Sequence, residues 1–230
     1  MIRFLILPIV FLTGLTTAAF SQWNAIAGYE ISTADAAPVN ELLQAFNLAH
    51  EHTLGFKDIK ILNGFQAGLR YNHKWGAFEM VYNRRLSRRI GDQFAKVNDI
   101  LGTMQTTSAD FFYEIRTYSF VSEFGGALRL GFSLDYNTYL TEMNYEEPEV
   151  RDFKIKQRPL GSRFYLGTFV KNRPNLSFSF RLFYQRLWSE ISTEPIYNAL
   201  KLGDSGCGDC SFSPSTFGFS IIINNGNQPY

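Results

Sequence analysis

Hydrophobic and polar residues alternate along most of this chain with a period of two. In ALRLGFSLDY, residues 127–136, apolar side chains occupy the even positions, whereas polar side chains such as Arg129 and Asp135 occupy odd positions. Because successive side chains of a strand point to opposite faces, the pattern predicts a strand with two different environments. The apolar face could meet the core of a soluble sandwich or the lipid around a membrane barrel. One strand does not decide between them.

Eight segments share this alternation. They are WNAIAGYEI from Trp23, GFQAGLRYN from Gly64, AFEMVYNRRLS from Ala77, DFFYEIRTYSFV from Asp110, ALRLGFSLDY from Ala127, RFYLGTFVK from Arg163, LSFSFRLFYQ from Leu176 and TFGFSIII from Thr216. Each is close to the ~9 to 11 residues of a tilted transmembrane strand. An even number of strands suits the closure of an antiparallel barrel.

The connections between these segments alternate in length. Three are tight turns, HKW, SEFGG and KNRPN, and four are long, covering approximately residues 32–62, 91–106, 141–160 and 191–213. A Greek-key sandwich has no reason to sort its loops in this way, whereas an up-and-down barrel with two different ends does. We therefore predict an all-β fold, an eight-stranded antiparallel up-and-down transmembrane β-barrel with four long outer loops and three short periplasmic turns.

The beginning of the chain has the order of a secretory signal peptide. Arg3 precedes the apolar run FLILPIVFLTGL and the small-residue segment TTAAFSQ. We expect residues 1–21 to be the signal and residues 22–230 to form one barrel domain. The alternative, a membrane anchor helix, is disfavoured because the run contains Pro8 and Gly14 and is short for the ~20 apolar residues of a span.

Charge and aromatic content refine this picture. The net charge of +1 gives no electrostatic reason to expect a nucleic-acid partner. The chain has 22 Phe and 12 Tyr, and aromatic residues at strand ends predict two girdles at the membrane interfaces. The periplasmic girdle would contain Trp23 and Trp75, and the outer girdle Tyr82, Tyr136, Tyr139, Tyr184 and Trp188.

The polar faces place charged residues in the predicted lumen. They are Glu30, Arg70, Glu79, Arg85, Glu114, Arg116, Arg129, Asp135, Arg163 and Arg181. Since side chains can fill an eight-stranded barrel, we expect an interleaved carboxylate and guanidinium network rather than an open channel. A proton or solute pathway is the alternative, but buried ion pairs chiefly offset their own desolvation, which favours a structural role.

The fourth segment departs from strict alternation. Beyond Arg116, a regular strand would turn Tyr118 and Phe120 into the lumen. A one-residue bulge near Thr117 would return both rings to the lipid, and we predict it. A regular ladder across residues 112–121 would contradict this prediction.

The long connections carry three further features. Residues 37–52, APVNELLQAFNLAHEH, have apolar residues at helical spacing behind Pro38 and predict a short helix over the outer mouth. The segment EEPEVRDFKIKQR is typical of solvated surface. Cys207 and Cys210, the only cysteines, predict a local loop disulfide in an oxidising compartment. A redox motif or a metal site is less favoured because neither a helix nor further ligands adjoin them.

Catalytic residues are not apparent. The chain has three histidines, His50, His52 and His73, and no arrangement of Ser, His and acid can be assembled from strand positions. His50 and His52 would not share one face of a helix, so HEH is a poor metal motif. We therefore expect no enzyme activity, cofactor or metal.

The signal, the eight alternating strands and the sorted loops resemble the small OmpA/OmpX-type outer-membrane barrels. The resemblance covers the mature chain and implies an outer-membrane location. Such barrels usually end on a strand with a terminal aromatic that resembles the assembly signal. Here Asn225 and Asn227 interrupt the alternation before Tyr230.

The resemblance implies a non-enzymatic protein whose loops serve adhesion, envelope stability or association with an envelope complex. Expected partners are outer-membrane lipid and an envelope protein bound through the outer loops. Three alternatives remain: a narrow pore or carrier, a lipid-modifying enzyme, and a soluble secreted sandwich.

Overall fold

The computed structural model describes residues 23–49, 55–73, 75–98, 103–145, 152–173, 176–200 and 210–225. The predicted signal peptide, His50, His52, Cys207 and Tyr230 lie outside these ranges. The elements are β1 (Trp23–Thr33), α1 (Ala37–Ala49), β2 (Ile61–His73), β3 (Gly76–Asn98), β4 (Thr103–Gly125), β5 (Leu128–Tyr145), β6 (Phe153–Gln157), β7 (Leu160–Arg173), β8 (Leu176–Leu187), β9 (Ile191–Ser192), α2 (Glu194–Ala199), β10 (Ser211–Phe212) and β11 (Ser215–Asn225). Neither described helix is long and apolar enough to cross a membrane.

Eight of these strands close into a barrel. The order around it is β1, β2, β3, β4, β5, β7, β8 and β11, and β11 pairs with β1 to complete the circle. Every pairing is antiparallel. The predicted eight-stranded barrel is therefore confirmed. Closure gives each strand a hydrogen-bonded neighbour on both sides, which a spanning sheet requires in lipid.

The barrel exposes its apolar face. On β5, Leu128, Leu130 and Leu134 point outward and are exposed, whereas Ser133 and Asp135 are buried inside. The same arrangement recurs on the other barrel strands and produces a continuous belt of exposed Phe, Leu, Ile and Tyr side chains. A patch of this extent is far larger than water-soluble proteins expose, so the belt meets lipid.

The ladder of β4 is regular. β4 pairs residue by residue with β3 and β5 from position 112 to position 121, so the predicted bulge near Thr117 is wrong. Tyr118 and Phe120 nevertheless point outward. The ladder can be regular because the side chains that precede them on β4 point to the opposite sides from those that the sequence predicted. Phe111, Tyr113 and Ile115 are buried inside the wall.

This reversal marks the outer surface of the membrane. Tyr82, Tyr118 and Tyr136 lie directly opposite one another on β3, β4 and β5 and point outward. Beyond this tyrosine row, most apolar side chains of β4 and β5 turn inward, and the charged ones described there turn outward, as in a water-soluble sheet. We take the membrane-spanning segments of these strands to end at the row.

The outer wall is taller than the sequence predicted. β3 continues to Asn98 and β4 begins at Thr103, so most of the second predicted long loop is strand. Beyond the tyrosine row, β5 also pairs with β6. β3, β4, β5 and β6 together form a sheet that rises above one side of the barrel.

The outer mouth is covered by α1 and the neighbouring connections, which we call the cap. The cap has an apolar core of its own. The predicted helix is present as α1, and its residues Val39, Leu43 and Phe46 are buried. Further buried residues come from the chain between α1 and β2, from β2, from the inner face of β4 and β5, from the end of β8 and from the last long connection. These are Phe56, Ile59, Leu62, Ala109, Phe111, Tyr113, Ile115, Tyr139, Met143, Leu187, Ile191, Ile196 and Leu200.

Candidate functional site

The periplasmic half of the lumen holds a cluster of five charged side chains, which we call the lower cluster: Arg70, Glu79, Glu123, Arg129 and Arg181. Arg181 donates from Nη2 to Oε1 of Glu79 at 2.6 Å, and its Nε lies 2.6 Å from Oε1 of Glu123. Arg70 pairs with Glu79 and, at 2.9 Å, with Glu123. Each carboxylate therefore bridges at least two guanidinium groups from different strands.

A second group, the upper cluster, lies nearer the outer mouth and consists of Glu30, Arg85, Asp135 and Arg163. Nε of Arg163 is 2.7 Å from Oδ2 of Asp135, and Nε of Arg85 is 3.2 Å from Oε1 of Glu30. Gln185 links the group, since it accepts from Arg85 at 2.7 Å and donates to Asp135 at 3.1 Å. These contacts join strands on opposite sides of the barrel.

An apolar layer lies between the two clusters. Tyr165 and Phe183 form a tilted ring pair with centroids 6.2 Å apart. Ile26, Val81, Val121 and Ile222 complete this layer. The Arg181 guanidinium lies 5.6 Å from the Tyr165 ring centre. On the opposite side, the Arg163 guanidinium lies 5.4 Å from the Phe183 ring centre. The lumen is thus filled by side chains, in layers.

Two of the ten predicted lumen residues lie elsewhere. Glu114 and Arg116 are on the outer face of β4, because the facing of this half of the strand is reversed. The other eight line the lumen and join the two clusters. Sequence reasoning missed Glu123, since it lies in the segment assigned to a turn. On a regular strand, Glu123 lies on the same face as Thr117 and Ser119, and this shared face is the signal that identifies it.

Glycine makes room for the large lumen side chains. A Cβ on Gly218 would lie 2.1 Å from Cζ of Phe183, and one on Gly131 would lie 3.3 Å from Cβ of Tyr165. These strand glycines are therefore packing partners of the aromatic layer.

Replacing Gly218 by alanine tests this packing. The added methyl group must displace Phe183, so we expect a loss of about 1–3 kcal/mol in the free energy of unfolding in detergent. Gly126→Ala is the matched control, because a Cβ there meets nothing within 4 Å. Equal stability of the two variants would contradict the packing role.

Two asparagines hold α1 against the chain that returns from it. Asn47 donates to the carbonyl of Phe56 at 3.0 Å and accepts from its N–H at 2.8 Å. Two helical turns earlier, Asn40 makes the same pair of bonds with Ile59, at 3.2 and 2.8 Å. The side-chain amides replace a neighbouring strand and satisfy these backbone groups. The helix is therefore fixed over the mouth by directed bonds as well as by its apolar face.

Two tyrosines line the base of the cap. Burial raises the pKa of Tyr139 to about 12, although Arg85 and Arg163 lower it, and burial likewise raises the pKa of Tyr113 well above its usual range. The rings are in edge contact, with centroids 6.1 Å apart. Tyr139 was expected in the outer girdle, but it points inward and is buried.

Alkaline titration tests the burial of Tyr139. Because its pKa is raised above its unfolded value near 10, the stabilisation is complete below pH 10 and is lost as the pH rises towards 12. We expect absorbance at 295 nm to show that some tyrosines of the folded protein ionise only at high pH. The Tyr139→Phe variant should have one such tyrosine fewer than the unmodified protein. An unchanged titration curve in Tyr139→Phe would contradict the assignment.

The remaining candidate residues form no metal site among the residues described. Nδ1 of His73 accepts from the backbone N–H of Trp75 at 3.2 Å, and its ring stacks on Phe78 in the periplasmic turn. In the described ranges, no group of three His, Cys, Asp or Glu residues could hold a metal ion. The disulfide between Cys207 and Cys210 stays a prediction, since Cys207 lies outside those ranges.

Comparison with known proteins gives matches in structure alone. No family model and no curated protein sequence matches this chain. Ail of Yersinia pestis, in complex with the heparin analogue sucrose octasulfate, is 14% identical over 88% of this chain and 96% of its own, with a TM-score of 0.46.

Two further barrels are similar at the same level. Neisserial surface protein A is 12% identical over 89% of this chain and 97% of its own, with a TM-score of 0.40. The outer membrane protease OmpT from Escherichia coli is 9% identical over 91% and 97%, with a TM-score of 0.36. At these identities and TM-scores, no residue role is carried from these proteins to this chain.

Proposed function

We propose that this integral outer-membrane β-barrel is a non-conducting, non-enzymatic protein that presents its cap as a rigid binding surface outside the cell. The observation that carries this proposal is the apolar core of the cap, in which α1 is buried against the inner face of the tall wall. Connections that served only to link strands would not require a shared core. Their packing suits a surface that keeps one shape for a partner.

The filled lumen supports the non-conducting part of the proposal. Ions would have to displace the paired charges of both clusters and the Tyr165–Phe183 layer. Each step breaks buried ion pairs, which is costly when the partner charge stays behind. The pore alternative is therefore disfavoured.

Planar-bilayer recording tests the pore alternative. We expect the folded protein to give no discrete current steps, with protease protection of the inserted barrel as evidence of insertion and a general porin as the positive control. Reproducible ion-conducting steps from the unmodified protein would overturn the non-conducting assignment.

The enzyme alternative has a separate test. Lipid profiling of cells that carry His50→Ala and His52→Ala addresses the histidines of the first loop. We expect a profile identical to that of cells with the unmodified protein, and a changed profile would favour lipid modification.

Co-purification in mild detergent tests the binding surface. We expect an envelope partner to be retained by the unmodified protein and by Gly126→Ala, a change in a periplasmic turn where an added Cβ meets nothing within 4 Å, but lost in Phe46→Ala, which removes a fully buried cap residue. Equal retention by a variant with a loosened cap would show that the partner does not recognise the cap.

A further inference from the structure

Two arginines face each other on the outer wall, immediately beyond the tyrosine row. Arg84 on β3 lies directly opposite Arg116 on β4, and each follows its row tyrosine, Tyr82 or Tyr118, by one outward-facing position. Like charges directly opposite on neighbouring strands destabilise a sheet. This arrangement therefore needs an anion to compensate it.

Glu114 supplies only part of that compensation. Arg84 donates to it from Nε at 2.7 Å and from Nη2 at 3.1 Å, and Arg116 donates from Nε to the same Oε1 atom. Burial would raise the pKa of Glu114, but the bonds from Arg116 and Arg84 outweigh it and hold the pKa below its ordinary value. Two guanidinium groups thus share one carboxylate, which leaves one positive charge in excess.

The guanidinium groups remain accessible. The side chains of Arg84 and Arg116 are 39% and 42% exposed, whereas Glu114 is 8% exposed and lies beneath them. Within the described part of the chain, the two Nη groups of Arg116 have no hydrogen-bond partner. Several N–H donors therefore point away from the wall, in a planar arrangement that matches the oxygens of a phosphate.

The surrounding wall is basic as well. Among the side chains of β3 to β6 that the structure describes, the outward charged ones are Arg84, Arg88, Arg116, Lys154, Lys156, Asp110, Glu114 and Glu142. Arg88 is paired with Asp110 at 2.6 Å, and Lys154 with Glu142 at 2.7 Å. The excess positive charge consequently lies around Arg84, Arg116 and Lys156.

The position of the pair identifies the source of the anion. The site faces sideways from the barrel, next to the tyrosines that mark the membrane interface, which is the depth of lipid headgroups. Below the tyrosine row, β3, β4 and β5 line an apolar groove. Its lining includes Phe78, Met80, Phe120, Phe132 and Leu134. A headgroup phosphate at the arginines would leave its acyl chains beside this groove.

We infer that Arg84 and Arg116 together bind a phosphate group of an outer-leaflet lipid, while the acyl chains of that lipid lie against the apolar surface of β3 to β5. This site is on the wall rather than on the cap, so it is independent of what the cap binds. Its loss would leave the cap core intact.

The test compares two double variants in nanodiscs. The first variant, Arg84→Gln with Arg116→Gln, removes the pair. The control, Arg88→Gln with Lys154→Gln, removes two positive charges from the same wall, but these two residues are already paired with carboxylates. The probe is diphosphoryl lipid A at a few mole percent in phosphatidylcholine, with pure phosphatidylcholine discs as the blank. Retained lipid is counted by native mass spectrometry after transfer to detergent.

We expect the first variant to retain lipid A about tenfold more weakly than the unmodified protein, as the loss of a charge-assisted pair predicts, and the second variant to remain within about twofold. Equal retention by the unmodified protein and the first variant would overturn the site. Inorganic phosphate alone should not compete at millimolar concentration. Full displacement by phosphate would overturn the assignment to a lipid.

Folding of each variant is checked by the shift in gel migration on heating. If the glutamine pair does not fold, Arg84→Lys with Arg116→Lys keeps both charges and removes the planar forks. That variant should still lose several-fold in retention, because a bidentate contact depends on the guanidinium plane. Unchanged retention by the lysine pair would contradict recognition by the forks.

Discussion

Glu79→Gln is expected to lower the free energy of unfolding of the barrel by about 3–5 kcal/mol. Glu79 is fully buried and pairs with both Arg70 and Arg181. The amide keeps the shape of the side chain but not its charge, so two buried guanidinium groups lose one of the two carboxylates that they share and keep only Glu123. The measurement is equilibrium unfolding in urea, in detergent micelles, followed by tryptophan fluorescence.

Glu142→Gln is the matched control for this prediction. Glu142 also pairs with a cation, Lys154 at 2.7 Å, but on the outer wall, where the lysine side chain is largely exposed. An exposed pair contributes only about 0–1 kcal/mol. Similar losses in the two variants would show that the lower cluster does not depend on burial.

Phe46→Ala is expected to open the cap while the barrel stays folded. The side chain is fully buried and contacts the ring of Phe56, with centroids 5.9 Å apart, and Phe56 in turn contacts Phe111 on β4. Truncation of such a residue lowers the free energy of unfolding by about 3–5 kcal/mol. Since this loss falls on the packing of α1 rather than on the strand ladder, we expect cleavage within α1 to accelerate about a hundredfold or more.

Limited proteolysis of the protein in detergent gives the cleavage rate, and heat-modified gel migration reports the barrel. Leu48→Ala is the control, because it lies on the same helix but on its exposed side. Cleavage of Phe46→Ala at the rate of the unmodified protein would mean that the cap does not depend on this core. Loss of the barrel band would mean that cap and barrel unfold together.

These two predictions separate the two cores of the molecule. The lumen is held by ion pairs between strands, and the cap is held by apolar packing above them. The cap can therefore vary in sequence and shape without a change in the barrel that supports it. This separation suits a scaffold that presents a surface, which is the function we propose.

The alternation of the chain, together with the alternating lengths of its connections, was sufficient to predict the barrel. Period two is a local property of a strand, and the lipid surrounds all the strands equally, so each segment could be assigned without knowing its neighbours. The same reasoning located the turns. It also identified the buried positions of α1, because the spacing of Val39, Leu43 and Phe46 defines one face of a helix.

Beyond the tyrosine row, only the tertiary structure decided which face is inside. Parity divides a strand into two faces, but the environment of each face changes where the wall leaves the membrane: outside becomes water and inside becomes the cap. Glu114 and Arg116 therefore point outward, although an unbroken lipid environment would put them in the lumen. Likewise, the partners of Glu123 come from three other strands, and only the closed register brings them together.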